Sequence, residues 1–227
     1  MTQLSEGATT RVQRDGFARY AAELETAPAE AVLEWAIARF GRRLVVASSF
    51  QDLVLVDLAA RSDPGVEVVF LDTGAHFPET LQFVEDARHR YGLNLTVAVP
   101  GPEASSAPCG SADCCQRRKV APLRKALAGR KAWVTGLRRV DAPTRATTPV
   151  VSWDERFGLA KVNPLAAWSD QEVAAYQAEH GLPLHPLVPL GYRSIGCAPT
   201  TRPVVKGEDP RAGRWAGTGK VECGLHA

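Results

Sequence analysis

No run of apolar residues in this chain is long enough to cross a bilayer, and the first residues show no basic segment followed by an apolar core. The expectation is a cytoplasmic protein with neither a membrane span nor a signal peptide. No Gly-x-Gly-x-x-Gly follows an expected strand, which argues against a dinucleotide site. No Gly-x-x-x-x-Gly-Lys occurs, which argues against a Walker-type triphosphate site. There is no internal repeat and no linker that would split the chain. Net charge is also scarce. The formal value is +2 over 227 residues, so nothing pulls the whole molecule toward nucleic acid.

What is present is more telling. The length allows one domain with a substantial core. Basic residues concentrate locally: between Gln116 and Arg145 ten Lys or Arg stand against one acid, Asp141. That suggests a localised anionic ligand, with a solvated helix face as the plain alternative. Five cysteines occur, Cys109, Cys114, Cys115, Cys197 and Cys223. In a reducing compartment they suit ligands or nucleophiles better than disulfides, and their odd number agrees.

The apolar pattern predicts alternating elements. Helices are expected over Pro28–Phe40, through Asp57 to Arg61, over Pro78–Tyr91, over Lys119–Ala128, and from the capping box at Ser169–Glu172 to about His180. Strands are expected at Leu44–Ala47, Val66–Leu71, Leu95–Val99 and Ala132–Thr135. This reads as an α/β fold, a parallel sheet with helices on both faces. Three strand ends run into polar or glycine-containing loops: Ser48-Ser49-Phe50, Asp72-Thr73-Gly74 and Gly136 to Arg139. In open α/β sheets ligands bind there, so one crevice is expected. Residues 1–16 carry little pattern, 1–206 read as a single catalytic domain, and 207–227 read as a mobile tail poor in apolar residues.

That tail ends on Glu222-Cys223-Gly224-Leu225-His226. It is either an exposed cysteine with no role or a thiol that must visit two partners. The pair Cys114-Cys115 suits a metal site better than a bridge between neighbours, and sulfur selects zinc or iron–sulfur without deciding between them.

Cys114-Cys115-Gln116-Arg117-Arg118-Lys119-Val120, Ile195-Gly196-Cys197-Ala198-Pro199 and the terminal Glu-Cys-Gly-Leu-His together resemble the assimilatory sulfonucleotide reductases, and among them the bacterial adenosine 5′-phosphosulfate (APS) reductases. Leu71-Asp72-Thr73-Gly74, Trp133 to Arg139 and Asp209 to Trp215 extend the likeness, which runs from about Arg43 to the end. The resemblance implies an adenine-nucleotide α-hydrolase type of fold, Rossmann-like. It implies reduction of APS to sulfite and AMP in sulfate assimilation, with thioredoxin as electron donor. It makes Cys223 the nucleophile that forms an S-sulfocysteine. It also implies a [4Fe–4S] cluster on Cys114, Cys115 and Cys197 with a fourth cysteine at position 200. This chain has Thr200 there, and an additional Cys109, so the fourth ligand is open between the two positions. Relatives without the cluster cysteines prefer the 3′-phosphorylated substrate (PAPS).

The chemistry agrees. A thiolate must attack and a phosphate must leave, so arginine forks and a lysine are needed. Lys119, Arg138, Arg139, Arg211 and Arg214 are the candidates, with Ser48, Ser49, Phe50, Asp72, Thr73 and Gly74 at the strand ends and His226 to orient or deprotonate Cys223. Three rivals stand against this reading: a cluster-free PAPS reductase, a non-catalytic nucleotide or redox sensor, and an adenylating ATP pyrophosphatase. The last is opposed by Ser48-Ser49-Phe50-Gln51-Asp52, which lacks the glycines that let backbone approach pyrophosphate. No nucleic-acid or membrane partner is expected, and the oligomeric state is left open.

Overall fold

Four strands of the computed structural model lie where the apolar runs predict them: β1 (Leu44–Ser48), β2 (Glu67–Leu71), β3 (Asn94–Ala98) and β4 (Ala132–Thr135). The structure describes residues 16–217, 220, 222, 224 and 225. Val45, Val46, Val68, Val69 and Val134 are wholly inaccessible, as expected for parallel strands covered on both faces. Two further strands, β5 (Val151–Asp154) and β6 (Leu159–Val162), form a hairpin that the sequence reading did not anticipate. The sheet order is β3-β2-β1-β4-β6-β5. All neighbours are parallel except the β5–β6 pair at the edge.

Alternation along each strand sends successive side chains to opposite faces. Val46 and Val68 join a core with Leu33, Val54 and Phe83 from helices α2 (Ala29–Phe40), α3 (Val54–Ser62) and α4 (Pro78–Tyr91). Val45, Val69 and Trp133 pack on the other face against Leu123 and Leu127. The short helix α1 (16–24) precedes α2, and its Phe17 and Tyr20 rest on the first core. α5 (Ala112–Cys115) runs through a wider turn of π-helix at Gln116–Val120 into α6 (Ala121–Ala126). α7 (Asp170–Glu179) opens on the expected capping box: Ser169 Oγ accepts from Glu172 N at 3.2 Å, and Glu172 Oε2 accepts from Ser169 N at 2.7 Å. No helix among the described residues is long and apolar enough to cross a membrane.

The stretch from 207 was expected to be mobile. Its first part is tied down. Thr201 and Arg214 form an antiparallel bridge, Trp215 N donates to Thr200 O at 2.9 Å, and Trp215 is buried.

One buried group fixes a pH response. His185 is 1% exposed, edge-on to Phe83 with centroids 5.0 Å apart. Its Nδ1 accepts from Leu187 N at 3.2 Å, so Nε2 carries the proton and meets Thr80 Oγ1 at 3.0 Å. A second proton would break the Leu187 bond and charge a dry site. Burial accordingly pushes the His185 pKa down to about 4 from 6.5. The unfolded chain binds the extra proton first. Stability from this group is therefore complete above pH 6.5 and falls as the pH drops toward 4, by at most about 3 kcal/mol. Melting temperatures measured across that range should show the loss, and His185→Asn should flatten the slope. An unchanged slope in the variant would contradict this assignment.

Candidate active site

The order of strands reverses between β1 and β4, and a cavity of about 320 Å³ opens at their carboxyl ends. Ser48 and Ser49 line it from the β1 side, and Thr135, Gly136 and Leu137 from the β4 side. Ser48 Oγ accepts from Phe50 N at 3.1 Å and thereby shapes the turn. Phe50 does not line the cavity. It is fully buried with a φ of 53° and packs edge-on to Phe70 at 5.6 Å, so it supports the loop as core.

Of the five basic candidates, Lys119, Arg138, Arg211 and Arg214 border the cavity. Arg139 does not. The backbone at Arg138 is extended, with φ −123° and ψ 146°, so the next side chain leaves in the opposite direction. Arg139 forks onto Glu25 at 2.6 and 2.9 Å on the far side. Arg138 is anchored by Asp141 at 2.8 Å and Asp170 at 2.9 Å, while its buried Nη1 has no hydrogen-bond partner among the described residues. Arg214 donates to Ser194 Oγ at 3.1 Å and Ile195 O at 3.2 Å and lies 4.6 Å from the Trp215 ring centroid. These contacts fix its guanidinium in place.

The loop after β2 faces elsewhere. Asp72 Oδ1 accepts from Gly74 N at 2.8 Å, and Gly74 takes the left-handed φ of 64° that this turn demands. The buried Thr73 accepts from Arg118 at its carbonyl, and its Oγ1 lies 3.5 Å from Cys197 Sγ. None of Asp72, Thr73 and Gly74 lines the cavity, and Thr73 borders Cys197 instead.

Several cavity residues were not among the candidate site residues drawn from the sequence. Arg145 forks onto Glu222 at 2.7 and 2.9 Å, and Arg211 reaches the same carboxylate at 3.3 Å. Burial raises the Glu222 pKa, but the Arg145 hydrogen bonds and the charges of Arg145 and Arg211 outweigh it, so the carboxyl sits below its ordinary value and stays ionised. Arg193, Asp141 and Trp215 also line the cavity, as does Leu225. Asp52 lines it too, its carboxyl raised by burial against the pull of the Val54 N–H and Arg138. His76 donates from Nε2 to Leu71 O at 2.9 Å, its buried Nδ1 finds no partner among the described residues, and burial depresses its pKa. Cys223 and His226, the expected nucleophile and its helper, lie outside the described residues. Their neighbours Glu222 and Leu225 are at the cavity.

The other cysteines gather beside it. Cys114, Cys115 and Cys197 are buried, and Cys109 is half-buried. The Cys109 side chain interacts with those of Cys114 and Thr200 and feels the charge of Cys197, and burial pushes its thiol up to about 11. Lys220 Nζ stands 3.2 Å from Cys115 Sγ. No three of the described His, Cys, Asp or Glu side chains converge on a single point as a metal ion would need. An iron–sulfur cluster takes one thiolate per iron, so its ligands stand apart around it. The donor set, soft, largely buried and flanked by a lysine, fits such a cluster chemically.

A protein-family profile described as "Phosphoadenosine phosphosulfate reductase domain" matches residues 43–203. The adenosine 5′-phosphosulfate reductase of Mycobacteroides abscessus is 51% identical over 220 residues, 92% of each chain. That of Streptomyces coelicolor is 46% identical over the whole of both chains. Among solved structures, the phosphoadenylyl-sulfate reductase of Candida auris in its phosphate complex aligns with a TM-score of 0.71 at 28% identity, covering 83% of this chain and 97% of that one. The Candida glabrata FMN adenylyltransferase, at 17% identity and a TM-score of 0.59, shares the fold.

Proposed function

This chain belongs to the phosphoadenosine phosphosulfate reductase domain family, and we propose on that footing that it reduces adenosine 5′-phosphosulfate to sulfite and AMP with thioredoxin as reductant. It is an oxidoreductase acting on a sulfur group in sulfate assimilation. The observation that carries the finer reading is the seat of the tail. Glu222, the residue before Cys223, is forked by Arg145 at the wall of a cavity that Lys119, Arg211 and Arg214 also border.

The steps follow from that arrangement. The nucleotide enters with its base against the apolar wall of Phe70, Leu71, Leu123 and Leu137 and its phosphosulfate toward the cations. Guanidinium forks pair with the phosphate and sulfate oxygens. The Cys223 thiolate attacks the sulfate sulfur. The sulfur–oxygen bond to phosphate breaks, and its electron pair leaves on AMP, whose new charge the fixed cations stabilise without reorganising. Cys223 then carries a sulfonate. A thioredoxin thiolate attacks Cys223 Sγ, sulfite departs with the sulfur–sulfur electron pair, and the second thioredoxin thiol releases Cys223 by forming the thioredoxin disulfide. Glu222, held by two arginines, aligns the tail for the first step. Its release frees the tail for the second. Free thiols and their reductant belong in the reducing cytoplasm.

Cys114, Cys115 and Cys197 would hold a [4Fe–4S] cluster in this reading, and the bound cluster would supply a fixed charge near the site. Cys115 itself packs against Trp215 of the cavity wall.

The test is sulfite release by the purified chain with thioredoxin, from APS and from PAPS. APS should be preferred by at least about tenfold in kcat/KM, in line with the relatives named adenosine 5′-phosphosulfate reductases. A preference for PAPS, or ATP–pyrophosphate exchange, would overturn the assignment.

A further inference from the structure

Thr200 stands three residues after Cys197, where a second sulfur would complete the set, and it cannot serve as one. Its hydroxyl is a hard, barely acidic donor, a poor match for iron. It is also turned back, donating to Cys197 O at 3.4 Å inside the short turn Ala198–Thr200. A thiol lies beside it instead. The loop Pro108–Ser111, closed by Ser111 N donating to Pro108 O at 3.1 Å, carries Cys109 to the Thr200 side chain and to the Cys114 thiol. The approach is close enough to restrict the loop's own sequence. Gly110 has a φ of 94°, and a Cβ built there would meet Thr200 Cγ2 at 3.2 Å. The glycine lets the loop lie directly on Thr200, with Cys109 alongside. Cys197 Sγ is meanwhile 3.5 Å from Thr73 Oγ1. Three thiols, those of Cys109, Cys114 and Cys197, thus gather next to Thr200, and Cys115 follows Cys114 on the same short helix.

We propose that Cys109, rather than the residue at position 200, supplies the fourth thiolate of the cluster site formed with Cys114, Cys115 and Cys197. This rests on the cluster reading above. Each thiol gives up its proton as it binds iron. Moving the fourth ligand from a Cys-x-x-Cys to a loop five residues before the cysteine pair leaves the number of thiolates unchanged.

The experiment is anaerobic reconstitution of the full chain with iron and sulfide, followed by iron and acid-labile sulfide analysis, visible absorption and electron paramagnetic resonance. The native chain should hold about four irons. Cys109→Ser should lose at least about one iron per chain or bleach rapidly in air. Thr200→Cys alone should change little. The double variant Cys109→Ser, Thr200→Cys should recover the native iron content, which separates a lost ligand from a damaged fold. Cys114→Ser is the control that strips the cluster. Native iron content in Cys109→Ser, or a gain of iron in Thr200→Cys alone, would overturn the role of Cys109 while leaving the cluster reading intact. Failure of the double variant to recover iron would overturn it as well. A native chain that takes up no iron, indistinguishable from Cys114→Ser, would overturn both.

Discussion

Cys223→Ser should abolish sulfite release, by more than about a thousandfold, while nucleotide binding stays near its native strength. A hydroxyl at that position is too weakly acidic to give the anion that attacks sulfur, and it cannot form the thiosulfonate that a thioredoxin thiol later cleaves. Binding is carried by other residues. Lys119, Arg138, Arg211 and Arg214 border the cavity from three different segments of the chain. The assay pairs sulfite release with AMP or APS affinity by titration calorimetry. Loss of both together would show that Cys223 supports the site rather than reacting in it. Substantial residual turnover would remove it from the chemistry altogether.

Arg214→Ala should lower kcat/KM by about tenfold to a hundredfold, from roughly 1.5–3 kcal/mol for a hydrogen bond to a charged group. The residue has two duties that a second substitution separates. It spans Ser194 Oγ and Ile195 O and stacks at 4.6 Å on Trp215, so it also holds one wall of the cavity. Arg214→Lys keeps the charge and discards the fork. If the fork on phosphate matters, lysine should recover only a small part of the loss, in kcat as well as in KM. Full recovery by lysine would reduce Arg214 to a point charge. Native kinetics in both variants would exclude it from the site.

Much of this architecture was legible in the sequence because the sheet is parallel and buried. Continuous apolar runs such as Leu44–Ala47 and Val66–Leu71 leave little choice, and the polar loops behind them mark the ligand face. The β5–β6 hairpin escaped notice for physical reasons. Each strand has four residues, Lys161 interrupts the apolar run of β6, and no tight two-residue turn joins them. The site divides in the same way. Ser48, Ser49, Lys119, Arg138, Arg211 and Arg214 could be found from strand ends and basic motifs. Arg145 could not. It sits on a 3-10 turn, Pro143–Arg145, at the end of a basic stretch, and only the fold brings Glu222 to it from the distant tail. Phe50 and Arg139 show the opposite failure. Adjacency to a site residue does not imply membership, because a positive φ buries Phe50 and strand geometry turns Arg139 outward toward Glu25. In the tail, a buried indole at Trp215 and a β-bridge at Arg214 are contacts that a composition rich in glycine does not reveal.

The central claim is that Cys223 accepts the sulfonate. The most direct measurement is peptide mass spectrometry of the chain incubated with APS and no reductant. The account predicts one added sulfonate on the peptide containing Cys223, removed by thioredoxin with release of one sulfite. An adduct on Cys109, Cys114, Cys115 or Cys197, or sulfite release without any adduct, would contradict it.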